Sequence, residues 1–112
     1  MAFNKKNKFP ETDQHVAQIA KALSHPARIA ILKELAERRT CICGEIVGVL
    51  PLSQSTVSQH LRELKQTGII KGTVDGTRSC YCIDWEVLNR YRDSLTSFLA
   101  NLQNVDEIAE CC

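Results

Sequence analysis

Three features of the 112-residue chain predict a mainly α fold with a small β-hairpin wing, the winged helix-turn-helix. Short amphipathic helical patterns are broken at Pro26 and Pro51, which makes room for a tight turn before a second, longer helix. Two β-prone runs flank Asp75-Gly76, a favoured hairpin turn. A last apolar series, Leu88, Tyr91, Leu95, Phe98, Leu102 and Val105, is spaced 3-4-3-4-3, a heptad seam that wants a partner helix. We therefore expect a homodimer joined along that seam, since a single small domain has little else to cover it.

The elements follow in order. Residues 1–10 read as a disordered arm, residues 11–100 as the winged helix-turn-helix and dimerisation domain, and residues 101–112 as a tail ending in a cysteine pair. Val16, Ile19, Ala20 and Leu23 give a first helix near 12–23. Pro26 suits the first position of a second helix, with His25 or Ser24 as its cap, and Ile29, Ile31, Leu32, Leu35 and Ala36 carry that helix to about Glu37. "TCIC" at 40–43 reads as a short extended link. A third helix runs from about Gly44 to Leu50, where Pro51 limits it. The clearest helix comes next: Ser53 is its N-cap, Val57, Leu61 and Leu64 its buried stripe, and Gly68 its end. After the hairpin, Asp84 caps the last helix, and Trp85 is placed to pack the wing against it.

Composition narrows the class. Apolar residues are 44% and charged ones 24% of the chain, the mix of a folded globular protein. No run of about 18 apolar residues exists to span a membrane, and the polar start lacks the apolar region of a signal peptide. We expect a cytoplasmic protein with reduced thiols, so that six cysteines point to metal or redox chemistry more than to a disulfide scaffold. The net charge of +1 hides an uneven distribution: residues 1–40 hold eight Lys/Arg against four Asp/Glu, and residues 84–112 hold two against six. The acidic end masks a basic front suited to nucleic acid.

The helix after Ser53 carries that function. Opposite its buried stripe lie Ser55, Gln59 and Arg62, with Gln54 and Ser58 at the margins. Short hydroxyls and amides hydrogen-bond base edges from a helix in the major groove. Arg62, Lys65, Lys71 and Arg78 surround them and can neutralise phosphates.

The segments "ALSHPARIAILKEL", "CICGEI", "LSQSTVSQHLRELKQTGII" and "DGTRSCYCID" resemble the ArsR/SmtB family of metal-responsive repressors. The similarity covers about residues 12–100 and is strongest at 52–70. It implies a homodimeric repressor that binds an operator of inverted-repeat character in double-stranded DNA and is released by a ligand. It also implies that Gln54, Ser55, Ser58, Gln59 and His60 read DNA, with Arg78 of the wing contacting the minor groove or backbone. His25 departs from the pattern, because many relatives carry an Asp there that would cap the second helix better.

The same resemblance puts a sensing Cys-x-Cys at the start of the third helix, where Cys41-Ile42-Cys43 stands. The last helix lacks the histidines of a zinc, cobalt or nickel site, and no cysteine precedes position 41, against a cadmium or lead arrangement. Chemistry agrees independently: paired thiolates select soft centres. A helix N-terminus at Cys43 favours the thiolate. The expected inducer is As(III) or Sb(III), with no organic cofactor. Such an ion takes three sulfurs, and a Cys-x-Cys in extended backbone puts two on one face. In the resembling motif a third cysteine stands at the position of Ile46 here. Cys111 or Cys112 is the first choice for the missing sulfur. Cys80 and Cys82 are the second: they share one strand face, while Tyr81 and Ile83 take the core face. Two thiols alone would suit a methylated trivalent arsenical.

Three other readings compete. A thiol-redox or persulfide-sensing repressor would have the same fold. A thiol oxidoreductase is disfavoured by the lack of a Cys-x-x-Cys and of alternating strands and helices. A zinc interaction module is disfavoured by the cysteine spacing.

Overall fold

The computed structural model describes residues 8–38, 41–43, 50–73 and 80–103, and of Cys43 the backbone alone. Four helices and three strands occur among them: α1 (Glu11–Ala22), α2 (Pro26–Arg38), β1 (Ile42–Cys43), α3 (Gln54–Thr67), β2 (Ile70–Thr73), β3 (Cys80–Ile83) and α4 (Trp85–Asn101). The expected helix at 44–50 falls on residues 44–49, which lie outside the described residues, as do the Asp75-Gly76 turn, Val105 and the cysteines of the tail.

Local chemistry sets the boundaries. α1 begins after Pro10, with Glu11 and Asp13 in its first turn and Lys21 in its last, each charge complementing the helix dipole. α2 starts at Pro26, whose missing N–H costs nothing there. His25 does act as its cap: its Nδ1 accepts a hydrogen bond from the Ala27 N–H at 2.9 Å. Ser53 Oγ accepts from the Thr56 N–H at 3.3 Å to open α3. Gly68 closes that helix in the left-handed region at φ 87°, where a side chain would be strained. Asp84 Oδ1 accepts from the Val87 N–H at 3.3 Å and starts α4.

The strands form one antiparallel sheet in the order β1-β3-β2. The segment read as an extended link thus becomes an edge strand, pairing Ile42 with Tyr81 and Cys43 with Cys80. On the other side β2 pairs Ile70 with Ile83 and Lys71 with Cys82. Ile42, Tyr81 and Ile83 point into the core, where they join Ile19, Ala22, Ile31, Leu35, Val57, Leu61, Leu64, Ile69 and Ile70. The wing's root is therefore part of the core and not an appendage.

The first half of the heptad series finds contacts within the protomer. Leu88, Tyr91 and Leu95 pack against the chain's own core. The Tyr91 hydroxyl also donates to the Thr67 carbonyl at 2.9 Å. The reason is geometric: α4 returns across the end of α3 and along α1, so its N-terminal turns find partners inside the protomer. Phe98, Leu99 and Leu102 remain exposed, by 44%, 55% and 62%. Trp85 is half exposed and borders a shallow apolar groove with Leu23, Ile29, Leu32, Ile83 and Leu88. No helix among the described residues is long and apolar enough to cross a membrane.

Candidate functional site

α3 presents the expected polar face. Gln54, Ser55, Gln59, Arg62 and Lys65 are exposed, and Ser58 is half-buried at the margin. The outer groups are partly ordered among themselves: Arg62 Nη2 donates to Gln59 Oε1 at 3.3 Å, and the Ser53 and Ser55 hydroxyls are 3.2 Å apart. A face of amides and hydroxyls rimmed by cations suits base edges flanked by phosphates. Lys71 extends the cationic rim onto β2, where it is exposed. Arg78 lies outside the described residues.

His60 does not belong to that face. It is buried, and its Nδ1 accepts a hydrogen bond from Arg28 Nε at 3.2 Å. The His25 ring lies 4.5 Å away, centroid to centroid. Burial lowers the His60 pKa, and the neighbouring His25 and Arg28 lower it further, with Glu63 opposing. The helical spacing carries the physical reason: position 60 falls between Val57, Leu61 and Leu64 on the inward stripe.

Arg28 is the residue that sequence reasoning missed. It is buried, and beyond His60 it donates to both carboxylate oxygens of Glu63, the Lys21 carbonyl and the Ser24 hydroxyl. One guanidinium therefore fixes α3 against the α1–α2 corner, and so sets the angle at which the polar face is offered. Its place at the start of a helix with no carboxylate within a turn hinted at a partner elsewhere in the chain.

The thiols meet on the sheet. Cys41 and Cys82 are joined as a disulfide, with Cα atoms 4.3 Å apart. Cys80 is also disulfide-bonded, and its Cα partner across the ladder is Cys43. Cys41 and Cys80 are exposed and Cys82 is half-buried, opposite in sense to Tyr81 and Ile83. Thus Cys41 stands beside a wing cysteine. Among the described residues no group of three or more His, Cys, Asp and Glu is placed to hold a metal ion. The Cys43 side chain, Cys111 and Cys112 lie outside them. His15 contacts Ser94 at 3.2 Å and the Tyr91 ring, within the α1–α4 contact.

Residues 25–71 match the family model described as bacterial regulatory protein, arsR family. An uncharacterised HTH-type transcriptional regulator of Methanocaldococcus jannaschii is 42% identical over 74 residues, 65% of this chain and 82% of that one. The HTH-type transcriptional regulator YgaV of Escherichia coli is 34% identical over 92 residues, 82% of this chain and 86% of its own. A homologue of the cadmium resistance regulatory protein CadC from Staphylococcus aureus is 35% identical over 83 residues, 73% of this chain and 68% of its own. Among solved structures, an ArsR-like transcriptional regulator from Rhodococcus sp. RHA1 superposes with a TM-score of 0.64 at 24% identity, covering 92% of this chain and all of that one, and shares the fold. With the winged helix, the outward polar face of α3 and these relatives taken together, the chain belongs to the arsR family of bacterial regulatory proteins, DNA-binding regulators of transcription and not enzymes.

Proposed function

We propose that the protein is a dimeric repressor that holds operator DNA through α3 and lets go when cysteine thiolates capture As(III) or Sb(III). The observation that carries the DNA half is the exposed row Gln54, Ser55, Gln59, Arg62 and Lys65 on a helix fixed from behind by Arg28. The sensing half rests on Cys41-Ile42-Cys43, a soft donor pair that spans the start of β1 ahead of α3, and draws support from the cadmium-resistance relative. The inducer binds thiolates, so the ligand-ready state is the reduced one. Capture ties β1 to other parts of the fold and shifts α3 relative to the dimer axis. A coupling of about 1–3 kcal/mol weakens operator binding some 5–150-fold, enough for derepression.

The test uses reduced protein on labelled operator DNA, followed by anisotropy. Arsenite should release the wild type, and a Cys41→Ser/Cys43→Ser variant should stay bound. Gln59→Ala should lower discrimination between operator and random DNA by about 1–3 kcal/mol, whereas Arg62→Ala should weaken both alike and reduce the salt slope by about one. Release of the double cysteine variant by arsenite would refute the site.

The Cys41–Cys82 bond supports a second reading, a redox-responsive repressor of the same fold. Two thiols and one peroxide give the disulfide and two waters, and peroxide, not arsenite, then governs release. Applying the two reagents separately to the same operator complex decides between the readings.

A further inference from the structure

The chain carries Cys-x-Cys twice, and the sheet puts the two copies side by side. β1 and β3 run antiparallel with Cys43 opposite Cys80 and Ile42 opposite Tyr81. Continuing that register brings Cys41 opposite Cys82, and those two sulfurs are within bonding reach, being joined. Strand alternation assigns positions 41, 43, 80 and 82 to one face of the ladder. Ile42 and Tyr81 fill the opposite face, both buried in the core, which fixes the register against slipping by one residue.

The four positions form a two-by-two array, about 4.5–5.5 Å across the ladder and about 6.7 Å along each strand. A soft divalent ion holding sulfurs at about 2.3 Å needs them about 3.8 Å apart. Lys71 stands opposite Cys82 on β2, bringing a cation beside sulfurs that must be anionic to bind.

Resting on the reading of a thiol-sensing repressor, we propose that Cys80 and Cys82 supply the thiolates that Cys41 and Cys43 lack. The site is then an inter-strand cluster at the root of the wing, for a thiophilic ion that takes three or four sulfurs. It needs neither Cys111 nor Cys112. Ion and disulfide exclude each other there, because a sulfur bonded to sulfur has no thiolate to offer. An ion in the cluster clamps β1, which leads towards α3, to β3 of the wing. Both DNA-contacting parts then respond to one binding event.

The full chain, reduced with a phosphine under argon, is titrated with arsenite and with Cd(II). Near-ultraviolet sulfur-to-ion charge transfer reports binding, native mass spectrometry gives the stoichiometry, and X-ray absorption counts the sulfurs. We expect one ion per protomer with three or four sulfurs. Cys80→Ser/Cys82→Ser should lower affinity by about 100-fold, and Cys111→Ser/Cys112→Ser should leave it within about twofold. Retained operator binding by the wing variant controls for folding, and the sulfur count on the wild type decides without any variant. A count of two, or loss of binding in the tail variant alone, overturns the cluster while leaving a metalloid-responsive repressor standing. No ion bound to the reduced wild type removes both.

Discussion

Arg28 uses all its donors inside one small space: Nε to His60, Nη1 to Lys21 and Ser24, Nη2 to Glu63. Since His60 Nδ1 accepts from Arg28, the neutral ring carries its proton on Nε2, and protonating Nδ1 breaks that bond. The folded pKa of His60 lies below the unfolded value of 6.5. As pH falls below about 6.5 the unfolded chain binds a proton that the folded chain resists, so stability declines there and is fully present above it. Urea unfolding at pH 7.5 and 5.5 should show this loss in the wild type, and a smaller one in His60→Gln. Equal losses would mean that another group titrates. Sequence alone could place His60 on the recognition helix. Its inward turn was also legible, since it lies three residues after Val57, but the signature around it drew the assignment to DNA. Arg28 was less legible, because its partners Glu63 and His60 are more than thirty residues away and only the folded chain brings them together.

At the scale of elements, the hairpin and helices were readable because each carries a local signal: Ser53 and Asp84 as caps, Gly68 as a stop, apolar residues at helical spacing. β1 was not readable as a strand, because two paired residues are too few to show alternation and their partner is about forty residues away. Gly72 marks how tightly this small sheet is built. It sits in β2 at φ 117°, and a Cβ there would collide with the backbone carbonyl of Cys80. Gly72→Ala should therefore destabilise the protein by about 2–3 kcal/mol, combining left-handed backbone strain with displacement of β3. Chemical denaturation measures it directly. A loss below about 0.5 kcal/mol would show that β2 shifts freely away from the cysteine strand.

The whole molecule leaves an apolar surface open. α4 spans 17 residues, yet none is fully buried. Its first half packs against the protomer's own core, and Phe98, Leu99 and Leu102 are left exposed at the far end, Phe98 and Leu102 beside Thr12 and Val16 of α1. Three large exposed apolar residues on one helix end suit a second copy of the chain. A contact between copies at these residues would be shorter than the heptad spacing predicts and would lie towards the α1–α4 edge. Phe98→Glu/Leu102→Glu should sediment as a monomer at concentrations where the wild type is a dimer. Its operator affinity should drop by about 100-fold, as two linked reading heads become one. Dimers persisting in that variant would relocate the contact.

The bond between Cys41 and Cys82 spans 41 residues of sequence, and everything between its ends is enclosed in a covalent ring. The whole of α3 and β2 lies inside that ring. In the oxidised chain the recognition helix cannot drift far even when the protein unfolds, a restriction of chain entropy that loop-closure theory puts at about 4 kcal/mol. Reduction opens the hoop, so the state in which the sulfurs are free to hold an ion is also the looser one.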